Sequence, residues 1–375
     1  MDIEAANNDL SNESLDSDDV MKGIIHAMQQ RGRAQNESDY ELFLPSTEDA
    51  AIALQGNGAS RSISQASLHI KSIAEWIVLH SDDVSGSASS WHNLVMYLTK
   101  TNDYRSALDV AQAARNRFGR DAVLLADAVL CAANLGDWEL GDTLLEQADQ
   151  GDYRSAEDWR LAVYVADYLR ARARTESDSD REATYERALA FLREAKSRLP
   201  EDDRIYNTEA EVLIEANRIE EARSLLEDVI FLRDYKDSIP NPMRHPVAQC
   251  CLTYLQSILS NSCDYDKIIE VADAGIRFAA TEQRTVNTGY FFYRKALAMD
   301  GQINANGVGS KAQGFGNQDY VRNAMKTYAL AYALHGDKDY GKICRDRFLV
   351  LSAMGGIDDM AIDEYCSSDQ AGDDD

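Results

Sequence analysis

The sequence contains few prolines and few positive charges. Only 5 of its 375 residues are proline, which disfavours an all-β protein built on many turns and favours long helices. Lys and Arg total 38 against 64 Asp and Glu, so the formal net charge is −26. A dedicated binder of nucleic acid or of an anionic membrane needs a basic field, and the sequence therefore argues against both kinds of partner.

Cysteine and long apolar stretches are also scarce. Six cysteines in a chain of this length do not make a disulfide framework, and the adjacent Cys250 and Cys251 suit buried apolar positions. The first residues lack the basic and apolar regions of a signal peptide. The most apolar stretch, 122–135, is interrupted by Asp127 and is too short to cross a bilayer. We therefore expect a soluble, cytoplasmic protein without a membrane span.

The two ends of the chain differ from the part between them. Residues 1–60 are predicted to be an acidic, mostly disordered arm, and residues 356–375 an acidic disordered tail, because such segments cannot bury enough apolar surface to fold. Within the arm, 20–30 has the spacing of a short amphipathic helix that would either dock on a surface or stay nascent. The folded body is expected at 61–355, beginning with a helix at 64–80.

From residue 88 onwards the sequence repeats itself with a period of 34 residues. The segment 89–119 has the pattern of two amphipathic helices joined by a polar turn at 101–103. A shift of 34 residues moves the turn Asn102-Asp103 onto Gly136-Asp137, so the turn chemistry recurs together with the helical pattern. Small residues recur at the corresponding position of four second helices: Ala107, Gly141, Ala188 and Ala222. In a fifth unit Ile268 takes this position, and Ala272 and Gly275 match Ala111 and Ala114.

This pattern resembles the tetratricopeptide repeat family, whose unit is a 34-residue helix-turn-helix with aromatic, Leu-Gly and Ala positions at fixed offsets. The resemblance covers about residues 88–355, and its repeats are degenerate: Val95, for example, stands where the family has glycine. It implies an all-α, right-handed superhelical solenoid of about six hairpins. The small residues would let the two helices of a repeat pack closely.

Three segments are predicted to interrupt the repeats. They are a polar insertion at 175–182, a proline-containing loop at 233–246 and a glycine- and asparagine-rich loop at 300–319. The last of these would split a hairpin, and a role in docking or in cleavage is left open. A final helix at 340–354 would close the end of the solenoid.

The sequence has no complete motif for catalysis, nucleotide binding or metal binding. The segment 307–314, GVGSKAQG, lacks the Gly-Lys-Ser/Thr order and the preceding strand of a phosphate-binding loop. The six histidines do not pair with one another or with cysteine at metal-ligand spacing. The arginines between 170 and 198 alternate with acids, which is typical of surface salt bridges, with a local phosphate or acidic-peptide site as the alternative. We therefore predict no enzyme, no metal and no cofactor.

The resemblance implies that the first helix of each pair lines a concave groove that holds a helix or an extended segment of a partner protein. The alternative is that some of these residues face water or pack on the next repeat. The residues that would line the groove are apolar in the first repeats and polar, partly acidic, in the later ones. Such a surface suits a basic or amphipathic segment. On this register the groove residues are His92, Met96, Lys100, Leu130, Asn134, Arg204, Asn207, Glu211, Thr253, Ser257 and Asn261.

The sequence therefore predicts a non-catalytic adaptor or scaffold with a protein partner. Carboxylate-clamping chaperone adaptors of the family carry Lys and Asn where this chain has His92 and Met96, so their function is not transferred. The alternative is a regulatory or sensor subunit that binds a peptide or small ligand and controls a separately encoded enzyme. The oligomeric state is left open.

Overall fold

The computed structural model describes residues 71, 74–75, 77–79, 81, 87–150, 153, 158–233, 241–279, 286–306, 318–336, 340–355 and 362. Every regular element within these ranges is helical. The chain divides into two compact units between Leu199 and Pro200. The helices of the first unit are α1 (Ala88–Lys100), α2 (Tyr104–Phe118), α3 (Ala122–Leu135), α4 (Trp138–Ala148), α5 (Trp159–Ala173) and α6 (Asp178–Arg198).

The first unit is built from three successive helical hairpins. α1 packs on α2, α3 on α4 and α5 on α6. The first helices of these pairs also pack side by side, α1 on α3 and α3 on α5, so they form one layer. The predicted all-α class built from helix-turn-helix repeats is confirmed.

Two turns of the first unit have the same design, a residue with positive φ followed by an aspartate. Asn102 and Gly136 have positive φ values of 60° and 65°, a conformation that Asn and Gly adopt more readily than other residues. The aspartate after each of them, Asp103 or Asp137, caps the next helix by accepting a hydrogen bond from the backbone N–H three residues later, at 3.2 Å in both turns. The recurrence predicted for this turn is confirmed.

Small residues allow the helices of the first unit to approach closely. Gly141 of α4 faces the ring of Tyr168 of α5, and a Cβ atom built on it would lie 2.1 Å from Tyr168 Cε2. A side chain of any size therefore has no room at this crossing. The alanines that the repeat pattern places along α2 are fully buried as well: Ala107, Ala111 and Ala114.

The second unit continues the same design. Its helices pack as the pairs α7–α8, α9–α10 and α11–α12, and α13 packs on α12. Their bounds are α7 (Asp203–Glu215), α8 (Ile219–Glu227), α9 (Asn241–Thr253), α10 (Tyr265–Phe278), α11 (Val286–Asn306), α12 (Gln318–His335) and α13 (Gly341–Gly355).

Two helices of this unit are followed directly by a π-helical turn: α8 by Asp228–Leu232 and α9 by Tyr254–Ile258. Arg294 of α11, which is 7% exposed, donates hydrogen bonds of 2.8 Å from Nη1 to the Leu255 carbonyl and from Nη2 to the Leu259 carbonyl. The guanidinium thus satisfies backbone acceptors that a helix end leaves open, and its charge complements the helix dipole there.

The predicted insertion at 175–182 is wrong in extent, because α6 already begins at Asp178. The first turn of α6 contains Asp178 and Asp180. Negative side chains stabilise the N-terminal end of a helix dipole. An acidic, serine-containing stretch therefore starts a helix here, although its composition is that of a linker.

The other two predicted loops are also shorter than expected. α9 begins at Asn241, inside 233–246. Pro242 lies in its first turn, where the missing N–H has no partner to lose, whereas Pro246 lies in the second turn. α11 continues to Asn306, inside 300–319. Its polar residue Gln302 is buried and donates a hydrogen bond of 2.6 Å to Asp266, so the polar composition of this stretch serves packing.

The predicted arm at 1–60, with its possible helix at 20–30, lies outside the described residues, as does the tail at 356–375 apart from Ile362. Ala74 and Ile77, in the helix predicted at 64–80, are helical and buried. None of the helices in the described ranges combines the length and the apolar composition needed to cross a bilayer.

Replacing Gly141 by alanine is expected to destabilise the first unit. A Gly-to-Ala change inside a helix usually stabilises it by about 1 kcal/mol, but here the methyl group would overlap Tyr168. Because overpacking costs about 1–3 kcal/mol, we expect a lower melting temperature by circular dichroism. E146A, at an exposed position in the C-terminal half of the same helix, is the control and should change it little. A higher melting temperature for G141A would contradict the close approach.

Candidate functional site

The predicted groove residues of the first unit lie on α1 and α3, whose helices pack side by side. Met96 and Leu130 are half-buried, whereas Lys100 and Asn134 are exposed near the C-terminal ends of their helices. The Asn134 side chain donates a hydrogen bond of 2.9 Å to the Leu130 carbonyl. His92 differs from these residues because it is buried.

His92 forms a buried pair with Asp127 of α3. Its Nδ1 atom lies 3.0 Å from Oδ1 and 2.9 Å from Oδ2 of the carboxylate. The side chains are 10% and 0% exposed, respectively. In this geometry Nδ1–H donates to the carboxylate, which leaves Nε2 as the second polar atom of the ring. His92 therefore packs on the next repeat, which was one of the two alternatives for the predicted groove residues.

Side chains of three helices affect the pKa of Asp127. Burial raises the pKa of Asp127 above its ordinary value, while His92 of α1 and Arg160 of α5 act to lower it. Arg160 also forms an ion pair with Asp158 at 2.8 Å. Burial and the nearby Asp127 raise the pKa of Cys131, so this thiol is protonated at neutral pH and is not a nucleophile. The cluster thus joins α1, α3 and α5 and shows no reactive group.

The predicted groove residues of the second unit include three that the structure brings together. Thr253 at the end of α9 donates a hydrogen bond of 2.8 Å from Oγ1 to Asn207 Oδ1, and Asn207 donates one of 2.9 Å from Nδ2 to Glu211 Oε1. Asn207 and Thr253 are buried and Glu211 is half-buried. Both ends of the Asn207 amide are engaged, so its orientation is fixed.

The remaining predicted residues of this unit lie at the two ends of that network. Arg204, one turn before Asn207 on α7, contacts Asp202 through Nε and Nη2 at 3.0 and 3.1 Å. Ser257 lies in the π-helical turn after α9 and Asn261 lies shortly beyond it, and both are exposed. The surface therefore combines a buried, hydrogen-bonded residue, Asn207, with the exposed Ser257.

Sequence reasoning missed a second buried ion pair, between Asp203 and Arg233. Arg233 Nη1 lies 2.6 Å from Asp203 Oδ1, and its guanidinium carbon lies 3.8 Å from the centre of the Tyr206 ring. Asp203 is 4% exposed. Arg233 lies in a predicted loop and Asp203 was not singled out, so the sequence gives no signal for their contact. Asp127 did have one, since it interrupts the apolar stretch 122–135.

Metal-binding geometry is absent from the described part of the chain, where no three His, Cys, Asp or Glu side chains come together in a way that could hold an ion. Burial also raises the pKa of Cys250 and Cys251. Cys250 donates a weak hydrogen bond of 3.7 Å to the Asp203 carbonyl. These thiols are therefore core residues.

Comparisons with known proteins agree with the repeat pattern. The sequence model of the family described as tetratricopeptide repeat matches residues 181–232, which contain most of α6 and all of α7 and α8. The chain contains tetratricopeptide-like repeats. None of the curated proteins compared with the chain matches it.

Among solved structures, the tetratricopeptide-like chain is similar to the human IFIT1 dimer with PPP-AAAA. The sequence identity is 12%, the TM-score is 0.37, and the alignment covers 92% of this chain and 71% of that one. A TM-score this low carries no inference about this protein. The family match is informative about one part of the chain, because it includes α7, the helix that carries Arg204, Asn207 and Glu211.

The buried pair of the first tetratricopeptide-like hairpins is expected to show strong coupling. H92L leaves the Asp127 carboxylate buried without its main partner, which typically costs about 3–5 kcal/mol. The double variant H92L/D127L replaces the pair by apolar side chains and should recover at least half of this loss. Chemical denaturation of the wild type, both single variants and the double variant measures the coupling. Additive effects of the two substitutions would show that His92 and Asp127 do not act as a pair.

Proposed function

We propose that the chain is a non-catalytic scaffold that binds a segment of a partner protein along the first helices α7 and α9. Tetratricopeptide repeats generally serve as interaction scaffolds. The observation that carries the proposal is the hydrogen-bonded row of Thr253, Asn207 and Glu211. The exposed residues Ser257 and Asn261 follow Thr253 along the chain. A partner segment would lie along this row.

A row of fixed polar groups is suited to recognising a peptide. Side chains already held by hydrogen bonds lose little conformational entropy when a partner binds. Asn207 orients the Glu211 carboxylate through its Nδ2 atom. The negative charge of Glu211, in a chain with a net charge of −26, favours a basic or amphipathic segment and would speed its association.

The proposal assigns no reaction to the chain. Two buried acids of the first helices are engaged in pairs, Asp127 with His92 and Asp203 with Arg233. General acid–base catalysis needs a proton-transfer group within reach of a substrate, and burial of these carboxylates (0% and 4% exposed) does not support such a role. These pairs are better suited to holding helices in register.

Site-specific photocrosslinking tests the proposed surface. Benzoylphenylalanine at Ser257, on the proposed surface, should crosslink a discrete protein from an extract of the source cells. The same group at Ser224, an exposed serine of the second helix α8, is the matched control and should give little of that adduct. Equal yields from both positions would argue against a binding surface on the first helices.

Two charge-matched variants sharpen this test. E211Q removes the charge but keeps an oxygen that can accept from Asn207, so the hydrogen-bonded row persists. We expect it to lower the Ser257 adduct by about three- to tenfold. E220Q makes the same charge change at an exposed position of α8 and should lower it less than twofold. Similar effects of E211Q and E220Q would assign the attraction to overall charge and not to this surface.

A further inference from the structure

The second unit exposes large apolar side chains on two of its helices, α11 and α13. Of the eight large apolar side chains that are exposed in the described ranges, five lie on this pair. They are Leu297, Ile343, Leu349, Val350 and Met354, and they are 39–47% exposed. Contiguous apolar patches on the surface of a soluble protein often mark interaction sites.

Two contacts hold α13 beside α11. Arg347 of α13 donates to the Asp300 carboxylate of α11 through Nε and Nη2, at 2.6 and 2.8 Å. The ring of Tyr340, the residue before α13, stacks on the ring of Tyr293 of α11, with their centres 4.7 Å apart. Both contacts join residues that are 47 positions apart in the chain. The two helices therefore run parallel in a fixed register.

This register brings the exposed apolar side chains together. Leu297 lies three residues before the aspartate of the ion pair on α11. On α13, Ile343 and Val350 lie four residues before and three residues after the arginine, and Met354 lies one turn further on. Residues three or four apart share a face of a helix. These four side chains therefore form one apolar stripe beside the ion pair, which we call the α11–α13 stripe.

The charge next to the stripe is positive. α13 contains three basic residues and one acid. Arg347 is engaged by its carboxylate on α11, and Arg345 lies 3.9 Å from Asp346. Lys342, adjacent to the stripe, is exposed and makes no hydrogen bond or ion pair with the described residues. In a chain whose net charge is −26, this apolar surface therefore has a cation available for a partner.

We propose that the α11–α13 stripe binds the apolar face of an acidic amphipathic helix from a partner protein. A helix that docks on an apolar surface contacts it through side chains three, four and seven residues apart, and a carboxylate of such a helix pairs with Lys342. A second copy of the chain fits this surface less well, because it would bring two positive faces together.

The stripe is a different surface from the polar row on α7 and α9. That row contains the acidic Glu211 and favours a basic segment, whereas the stripe is apolar and adjoins the basic Lys342. The two surfaces therefore select segments of opposite charge, and binding at the stripe does not depend on the proposed function of the row.

Fluorescence anisotropy with the full chain tests the proposal. The probe is a fluorescein-labelled peptide made of two copies of the heptad Leu-Glu-Gln-Leu-Leu-Gln-Glu, which places leucine on one face of a helix. It should bind in a saturable way. A scrambled peptide of the same composition has no apolar face and should bind at least about tenfold more weakly. No saturable binding, or equal affinity for the two peptides, would overturn the proposal.

Two leucine variants locate the binding surface. Leu297 and Leu135 are each 39% exposed, but Leu135 lies on α3 of the first unit. L297S should weaken binding of the acidic peptide about three- to tenfold, because less apolar surface is buried. L135S should weaken it less than about twofold, with circular dichroism confirming the fold of both. Equal effects of the two substitutions would contradict binding at the stripe.

Charge variants and the free chain complete the test. K342Q should weaken the acidic peptide about two- to fivefold, and K100Q, at an exposed position of α1, less than about twofold. A peptide with lysine in place of glutamate that binds more tightly, and loses this binding in L297S, would overturn the acidic assignment. Sedimentation equilibrium of the chain alone should show no dimer that L297S dissociates, since such a dimer would assign the stripe to a second copy.

Discussion

The close approach of a second helix to the first helix of the next pair, which occurs at a glycine once in each unit, is the constraint from which the packing of the hairpins follows. Gly141 accepts the ring of Tyr168 in the first unit, and Gly275 accepts the ring of Phe291 in the second. In both places a large aromatic side chain fills the space that a missing side chain leaves. This pairing of a glycine with a ring fixes the distance between hairpins, and the face of each first helix is positioned by it.

Buried acids with cationic partners also help to determine how the helices pack. Asp127, Asp203 and Asp300 each belong to a first helix and are at most 4% exposed. Each is paired with a cationic side chain: His92, Arg233 and Arg347, respectively. Such pairs add little to stability compared with apolar packing, but an unpaired buried charge is costly. We infer that they penalise any register other than the native one.

The sequence predicted those features that repeat and failed for those that occur once. The positive-φ residue followed by a capping aspartate at Asn102-Asp103 recurs 34 residues later, and the small residues follow the same period. The starts of α6 and α9 and the end of α11 were misplaced because acidic, proline-containing or glycine-containing segments usually form loops. Here helix dipoles, first-turn tolerance of proline and buried hydrogen bonds outweighed composition. His92 was selected as a groove residue, but its partner lies 35 residues away, and only the packing of α1 on α3 reveals it.

The contact of Arg294 with the end of α9 has a consequence for synthesis of the chain on the ribosome. Arg294 caps the carbonyls of Leu255 and Leu259, which precede it by 39 and 35 residues. The hairpin of α9 and α10 therefore emerges with the end of its first helix still hydrated, and it is completed only when α11 follows. The completion of this hairpin therefore waits for the synthesis of α11, although its own two helices are made first.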